Sequence, residues 1–138
     1  MPDHKPRNIL DPDNVTGLII GAFADKPSRA LASLLAGDFP TYTVEDVESP
    51  PWQDAAIWDT LEKISNTQLL ILSETLGSYE TALVVIALQK GFATYFVSPA
   101  ISHDPEHRLA RLRQASAIVM SPEDALSELR LSAPGKGS

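Results

Sequence analysis

Four hydroxyls, Ser73, Thr75, Ser78 and Thr81, crowd the segment SETLGSYET, with Glu74 among them. A serine in such a cluster becomes a nucleophile only with a histidine base and an acid to orient it. The histidines are His4, His103 and His107. His103 and His107 follow a strand-like run and could approach Ser78. The plainer role for Ser78 is to cap a helix that begins near Tyr79, a common use of serine. Asp25 and Glu74 make a second candidate, a carboxylate pair able to hold a metal or exchange protons. Against it, Asp25 suits the cap of a helix entered at Pro27, and Glu74 suits solvent. The run His103-Asp104-Pro105-Glu106-His107 has a metal-like composition, yet acids at a helix start are explained by its dipole. No metal or cofactor is expected. The chain has no cysteine, which excludes thiolate nucleophiles, thiolate metal sites and disulfides.

Other patterns carry less chemistry. Arg108 and Arg111 share a helix face, Arg113 lies off it and Arg29 is elsewhere, a spacing typical of a solvated surface. Trp52 and Trp58 flank one predicted helix, one suited to the core and the other to an interface. Gly17-x-x-x-Gly21 lies inside a strand and is not a phosphate-binding loop.

The elements that must position these residues alternate. Gly17–Phe23, GLIIGAF, is a continuous apolar run, as in a strand covered on both faces. A helix is predicted over Pro27–Ala36, with Gly37 just past its end. The more polar Phe39–Val47 reads as an edge strand, and Gln53–Ile64 as a helix. Thr67–Ser73 is the third strand and Ser78–Lys90 the third helix, closed by Gly91. Ala93–Ser98 is a strand, Pro105–Gln114 a basic helix, Ala117–Met120 a short strand, and Pro122–Leu129 a helix capped by Ser121. Strands alternating with helices imply a parallel sheet. The expected fold is α/β, a doubly wound, Rossmann-like three-layer sandwich with strand order 2-1-3-4-5. In such sheets ligands bind beyond the carboxyl ends of the strands where the order reverses. That crevice falls between the first and third strands, walled by Gly21–Asp25 and Ser73–Tyr79.

The length of 138 residues suits one domain. Residues 9–131 are expected to form it, with a flexible N-terminus at 1–8 and a disordered tail at 132–138. The hydrophobic share of 43% and charged share of 21% are ordinary for a globular protein. The net charge of −7 argues against nucleic acid. No apolar run is long enough to cross a membrane and no signal peptide is evident, so the expected location is the cytoplasm.

Leu10–Asp25, LDPDNVTGLIIGAFAD, resembles the opening of the isochorismatase-like cysteine hydrolases, a family that includes nicotinamidases. Leu69–Phe92 is similar to that family's Gly-x-x-Thr-x-x-Cys-Val segment and the helix after it. The likeness continues from Ala93 to Leu129, through Ser98-Pro99-Ala100 and AIVMSPEDALSEL. Pro51-Trp52, Ile57 and Leu61 resemble the family's approach to its third strand. The resemblance implies an aspartate base, a lysine and a cysteine nucleophile. Here the base position falls on Gly21 and the nucleophile position on Tyr79, a phenol whose pKa near 10 makes it a poor replacement. The lysine has no counterpart, since none occurs between Lys26 and Lys63 and the matching region is Glu45-Asp46. The family's glutamine, often near a metal site, falls on Phe23.

The expectation is therefore a non-catalytic, isochorismatase-like domain acting in binding or assembly. It is expected to self-associate, as family members commonly do, with a small molecule or a protein as its candidate partner. Its candidate crevice comprises Phe23, Asp25, Ser73, Glu74, Thr75, Ser78 and Tyr79. Phe23 and Tyr79 are expected to face each other and plug it. Two alternatives stand beside this: a hydrolase of a small amide or ester using a non-cysteine site, and a flavodoxin-like module that binds a small ligand.

Overall fold

The computed structural model describes residues 10–44, 50–102 and 108–132. Five parallel strands form one sheet in the order β2-β1-β3-β4-β5. They are β1 (Val15–Ile20), β2 (Thr41–Val44), β3 (Gln68–Ser73), β4 (Ala93–Val97) and β5 (Ile118–Met120). The helices are α1 (Lys26–Asp38), α2 (Ala55–Lys63), α3 (Ser78–Gln89), α4 (Arg108–Gln114) and α5 (Pro122–Ser132). Short 3₁₀ turns at Pro51–Gln53 and Pro99–Ser102 complete the connections. This is the doubly wound α/β sandwich and the strand order that the alternation of elements implies.

The central strands are apolar throughout because both faces are covered. Side chains alternate between the two faces. Ile19, Leu70, Leu72 and Val97 pack with Leu31 and Leu35 of α1 and Ala125 and Leu129 of α5. Leu18, Ile20, Leu69, Ile71 and Phe96 pack on the opposite face with helices α2, α3 and α4, through Ile57, Leu61, Leu83, Ala87 and Leu112. Each of these leucines is almost wholly buried, so truncating one such as Leu70 to alanine should cost roughly 2–5 kcal/mol. The edge strand β2 is only half-buried. At Gly17 an added Cβ would stand 3.3 Å from Leu35 and from Thr41, so α1 lies unusually close to β1.

Several boundaries differ from the sequence reading. The first strand stops at Ile20 rather than Phe23. Gly21 adopts a φ of 77°, a left-handed conformation that suits glycine and turns the chain out of the sheet. Helix α1 runs past Gly37 to Asp38, and Phe39 closes it through a backbone bond to Leu35. The third helix ends as expected: Gly91 has a φ of 98°, and the Phe92 N–H reaches back to the Ala87 carbonyl at 3.1 Å. Ser121 caps α5 by accepting a bond from the Asp124 N–H at 3.1 Å. The expected continuation of the second strand through Val47 and the start of the fourth helix at Pro105 lie outside the described residues. Of the segments expected to be loose, residues 1–8 and 133–138 also lie outside them, and Ser132 closes α5. Among the described residues, no helix is long and apolar enough to cross a membrane.

Candidate functional site

Strands β1 and β3 are neighbours, while the chain leaves them toward opposite sides, to β2 and to β4. Their carboxyl ends therefore flank the point where the strand order reverses. Ile20 pairs with Ser73 in the last register position. Beyond it, β1 turns away at Gly21 and β3 runs into the turn Glu74–Gly77 before α3. A cleft of about 340 Å³ opens there. Gly21 and Ala22 line one side, and Ser73, Glu74, Thr75 and Glu80 the other. A Cβ placed on Gly21 would meet nothing within 4 Å, so the position opens onto free space.

Glu80 organises the turn. Its side chain is only 6% exposed. One carboxylate oxygen, Oε2, accepts bonds from Ser73 Oγ at 2.9 Å and Thr75 Oγ1 at 3.2 Å. The other, Oε1, accepts the Gly77 N–H at 2.8 Å. Gly77 is the residue before the helix, so Glu80 sits where the acidic partner of a capping box belongs and satisfies a donor that the helix leaves free. The backbone at Gly77 is extended, and its lack of a side chain matters for space: a Cβ would lie 3.1 Å from the Glu80 carboxylate. Thr81 Oγ1 donates to the Gly77 carbonyl at 2.9 Å and ties the turn to the helix. A buried carboxylate with several donors is tolerated where an unpaired one is not.

The residues singled out from sequence separate into distinct places. Ser73, Glu74 and Thr75 line the cleft. Asp25 does not; it caps α1, its carboxylate accepting the Ser28 N–H at 3.0 Å. Slight burial pushes the Asp25 carboxyl upward, but hydrogen bonding from Ser28 outweighs this and holds it below the usual carboxylate range. Phe23 and Tyr79 do not face each other. Phe23 packs against the core on the α1–α5 side of the sheet, and Tyr79 against the core on the opposite side. Neither lines the cleft, so the expected aromatic plug is not formed and the space between the strand ends is open. The Tyr79 hydroxyl is buried and has no hydrogen-bond partner among the described residues. Burial, then the negative charges of Asp54 and Glu80, push this phenol up to about 12. Ser78 is exposed as the first residue of α3, and Gly77 rather than Ser78 occupies the capping position.

The two tryptophans differ in burial. Trp58 packs partly into the core, donates from Nε1 to the Trp52 carbonyl at 3.1 Å, and carries Lys90 over its ring at 5.3 Å. Trp52 is 56% exposed and borders a shallow apolar groove along α3 with Val85 and Arg111. His4, Glu45-Asp46 and the run His103–His107 lie outside the described residues. Among the described residues, no group of three or more acids or histidines is placed to hold a metal ion.

Sequence reasoning missed Glu80. Its signal was present: the lone acid of a mostly apolar helix, three residues after a glycine at the helix entry, which is the capping-box spacing.

The fold is similar to that of several solved structures. YcaC from Pseudomonas aeruginosa, solved with hexane-2,5-diol and covalent acrylamide, superposes with a TM-score of 0.65 at 14% identity, over 91% of this chain and 84% of that one. The YcaC gene product of Escherichia coli, described as an octameric hydrolase of unknown specificity, gives 0.63 at 14% identity, over 91% and 83%. The MAR1 ribonuclease of Caenorhabditis elegans gives 0.65 at 15% identity, over 91% and 86%. At such identities the likeness is one of fold. No protein-family model matches the sequence, and no curated protein matches it.

Proposed function

We propose that this chain is a non-catalytic, isochorismatase-like domain that acts in binding or assembly, with the cleft between β1 and β3 as its binding site. The observation that carries this reading is the fate of the two positions matched to the family's base and nucleophile. Gly21 offers no side chain at all. Tyr79 holds a phenol pushed up to about 12, turned into the core on the face opposite Phe23 and away from the cleft. A nucleophile must be activated by a base within hydrogen-bond reach, and neither position supplies that. The hydroxyls that do line the cleft, Ser73 and Thr75, donate to the buried Glu80 carboxylate and so hold the turn together.

The domain extends over residues 9–131, resides in the cytoplasm and self-associates. Support for self-association comes from exposed Trp52 and Val85 beside a nearly all-apolar helix, and from the octameric state of the Escherichia coli structural neighbour. The net charge of −7 argues against nucleic acid as a partner, although one structural neighbour is a ribonuclease.

One observation favours a second reading, a hydrolase of small amides or esters. The cleft is open, and Ser73 Oγ lies 2.9 Å from a carboxylate that could take its proton. The first reading is preferred because a carboxylate alone is a weak base toward an alcohol. The purified chain should show no turnover of nicotinamide, isochorismate, simple amides or nitrophenyl esters. Steady turnover lost in Ser73→Ala would overturn the non-catalytic reading and install the second.

A further inference from the structure

The outer face of the α2–α3–α4 layer carries a charge pattern that complements itself. All three helices cover the same side of the sheet. They follow β2, β3 and β4 in turn, and the strand order places α3 between the other two. Local contacts agree: Lys90, just past α3, pairs with Glu62 of α2 at 3.6 Å, and Arg111 of α4 borders a groove of about 380 Å³ along α3. The outward stripe of α3, Ser78, Ala82, Val85 and Gln89, has helical spacing and no charge. Val85 is 37% exposed there, and Trp52, 56% exposed, borders the same groove. A helix apolar on nearly every side implies cover on every side, and tryptophan is enriched at the centres of protein contacts.

The flanks of this face differ in sign. Helix α2 and its cap carry Asp54, Asp59 and Glu62 against one basic residue, Lys63. Helix α4 carries Arg108, Arg111 and Arg113 and no acid, three of the chain's eleven basic residues. Asp59 and Arg111 are exposed, and neither has an ion-pair partner among the described residues. A chain of net charge −7 repels its own copies, so a favourable self-contact must bring this basic flank onto an acidic one. A two-fold axis along α3 does so. It lays α4 of each copy over α2 of the other, with the two α3 helices meeting between them. An axis across α3 sets α2 on α2 and α4 on α4, like charge on like. Asp59 and Arg111 are each the middle residue of their helix, which suits pairing across an axis along α3. We propose that two copies of this chain dock through this face about such an axis, with Trp52 and Val85 in the apolar contact and Arg111 of each copy paired with the partner's Asp59. The inference rests on the self-association proposed above and specifies its surface and symmetry.

Analytical ultracentrifugation of the full chain tests this, with circular dichroism to confirm that each variant folds. Arg111→Glu and Asp59→Arg should each weaken association by about tenfold or more, since each change occurs twice in a two-fold contact. Mixing the two variants should restore association, because every altered residue then meets its opposite charge. Chains that had merely misfolded would not recover on mixing. Val85→Glu, at an exposed position, should also weaken association by placing a charge in the apolar contact. An assembly whose mass none of the three variants changes would overturn this interface, and variants that stay apart when mixed would overturn its symmetry. Either result would leave self-association standing on another surface or axis. A wild-type chain that stays at 14.9 kDa from micromolar to millimolar concentration would overturn both the interface and the self-association it rests on.

Discussion

Replacing Glu80 by alanine should be among the more costly single changes outside the apolar core. The substitution strips the acceptor from three donors at once. Thr75 is exposed and can turn to water, so its loss is small. Ser73 is only 2% exposed, and an orphaned hydroxyl there costs roughly 1–3 kcal/mol. The Gly77 N–H loses its cap, and the first turn of α3 loses a negative charge near its positive end, together about 1 kcal/mol. The sum is about 3 kcal/mol, a large share of the roughly 5–15 kcal/mol that stabilises an ordinary domain. Glu80→Gln is the matched control. Its amide oxygen can still accept from Gly77, and its NH₂ can donate to hydroxyls that rotate to accept, so the cost should be about 1 kcal/mol. Urea unfolding reads both variants. With a slope of roughly 1.5 kcal/mol per molar, the alanine midpoint should fall by about 2 M at unchanged slope. A loss below about 1 kcal/mol for Glu80→Ala would refute the claim that this carboxylate organises the turn. A glutamine variant as unstable as the alanine one would show that charge rather than hydrogen-bond geometry carries the effect.

Tyr79→Phe should be neutral or stabilise by about 1 kcal/mol, because it removes a buried hydroxyl with no partner among the described residues, and urea midpoints will show the sign. In alkaline titration followed by phenolate absorbance, Tyr79 should ionise near 12; its raised folded value means stability held below pH 10 is lost as pH climbs from 10 toward 12, and Tyr79→Phe should blunt that loss. Asp25→Ala should cost about 1 kcal/mol as a lost helix cap. The folded Asp25 value is depressed, so its contribution is present above the ordinary value of 3.8 and fades as pH falls below it, which urea midpoints at acidic pH will show as a narrowing gap between wild type and variant. Light scattering should give a mass above the 14.9 kDa of one chain, with Trp52 fluorescence shielded on association and Trp52→Ala shifting the protein toward monomer.

Much of the fold could be read from the chain. Apolar runs such as LLILS and GLII, separated by helix-length segments, require strands covered on both faces, and that pattern admits few arrangements besides a parallel sheet between two helix layers. The caps at Asp25 and Ser121 and the helix stop at Gly91 follow from local chemistry, which depends on neighbours a few residues away. The place of the cleft follows from topology, and Ser73, Glu74 and Thr75 line it. The contents of that cleft were not legible. The apolar run GLIIGAF predicts a strand that ends at Phe23, but the positive φ at Gly21 ends the strand at Ile20, and Phe23 lies in the layer opposite Tyr79. Strand periodicity says which residues are buried; it does not say where the chain leaves the sheet, and one residue's rotation there decides which face receives the next side chain. Glu80 shows the same limit from the other side. Its spacing from Gly77 marks a cap, but only the approach of Ser73 and Thr75 from the end of β3, brought there by strand pairing, turns that cap into the buried carboxylate of a cleft.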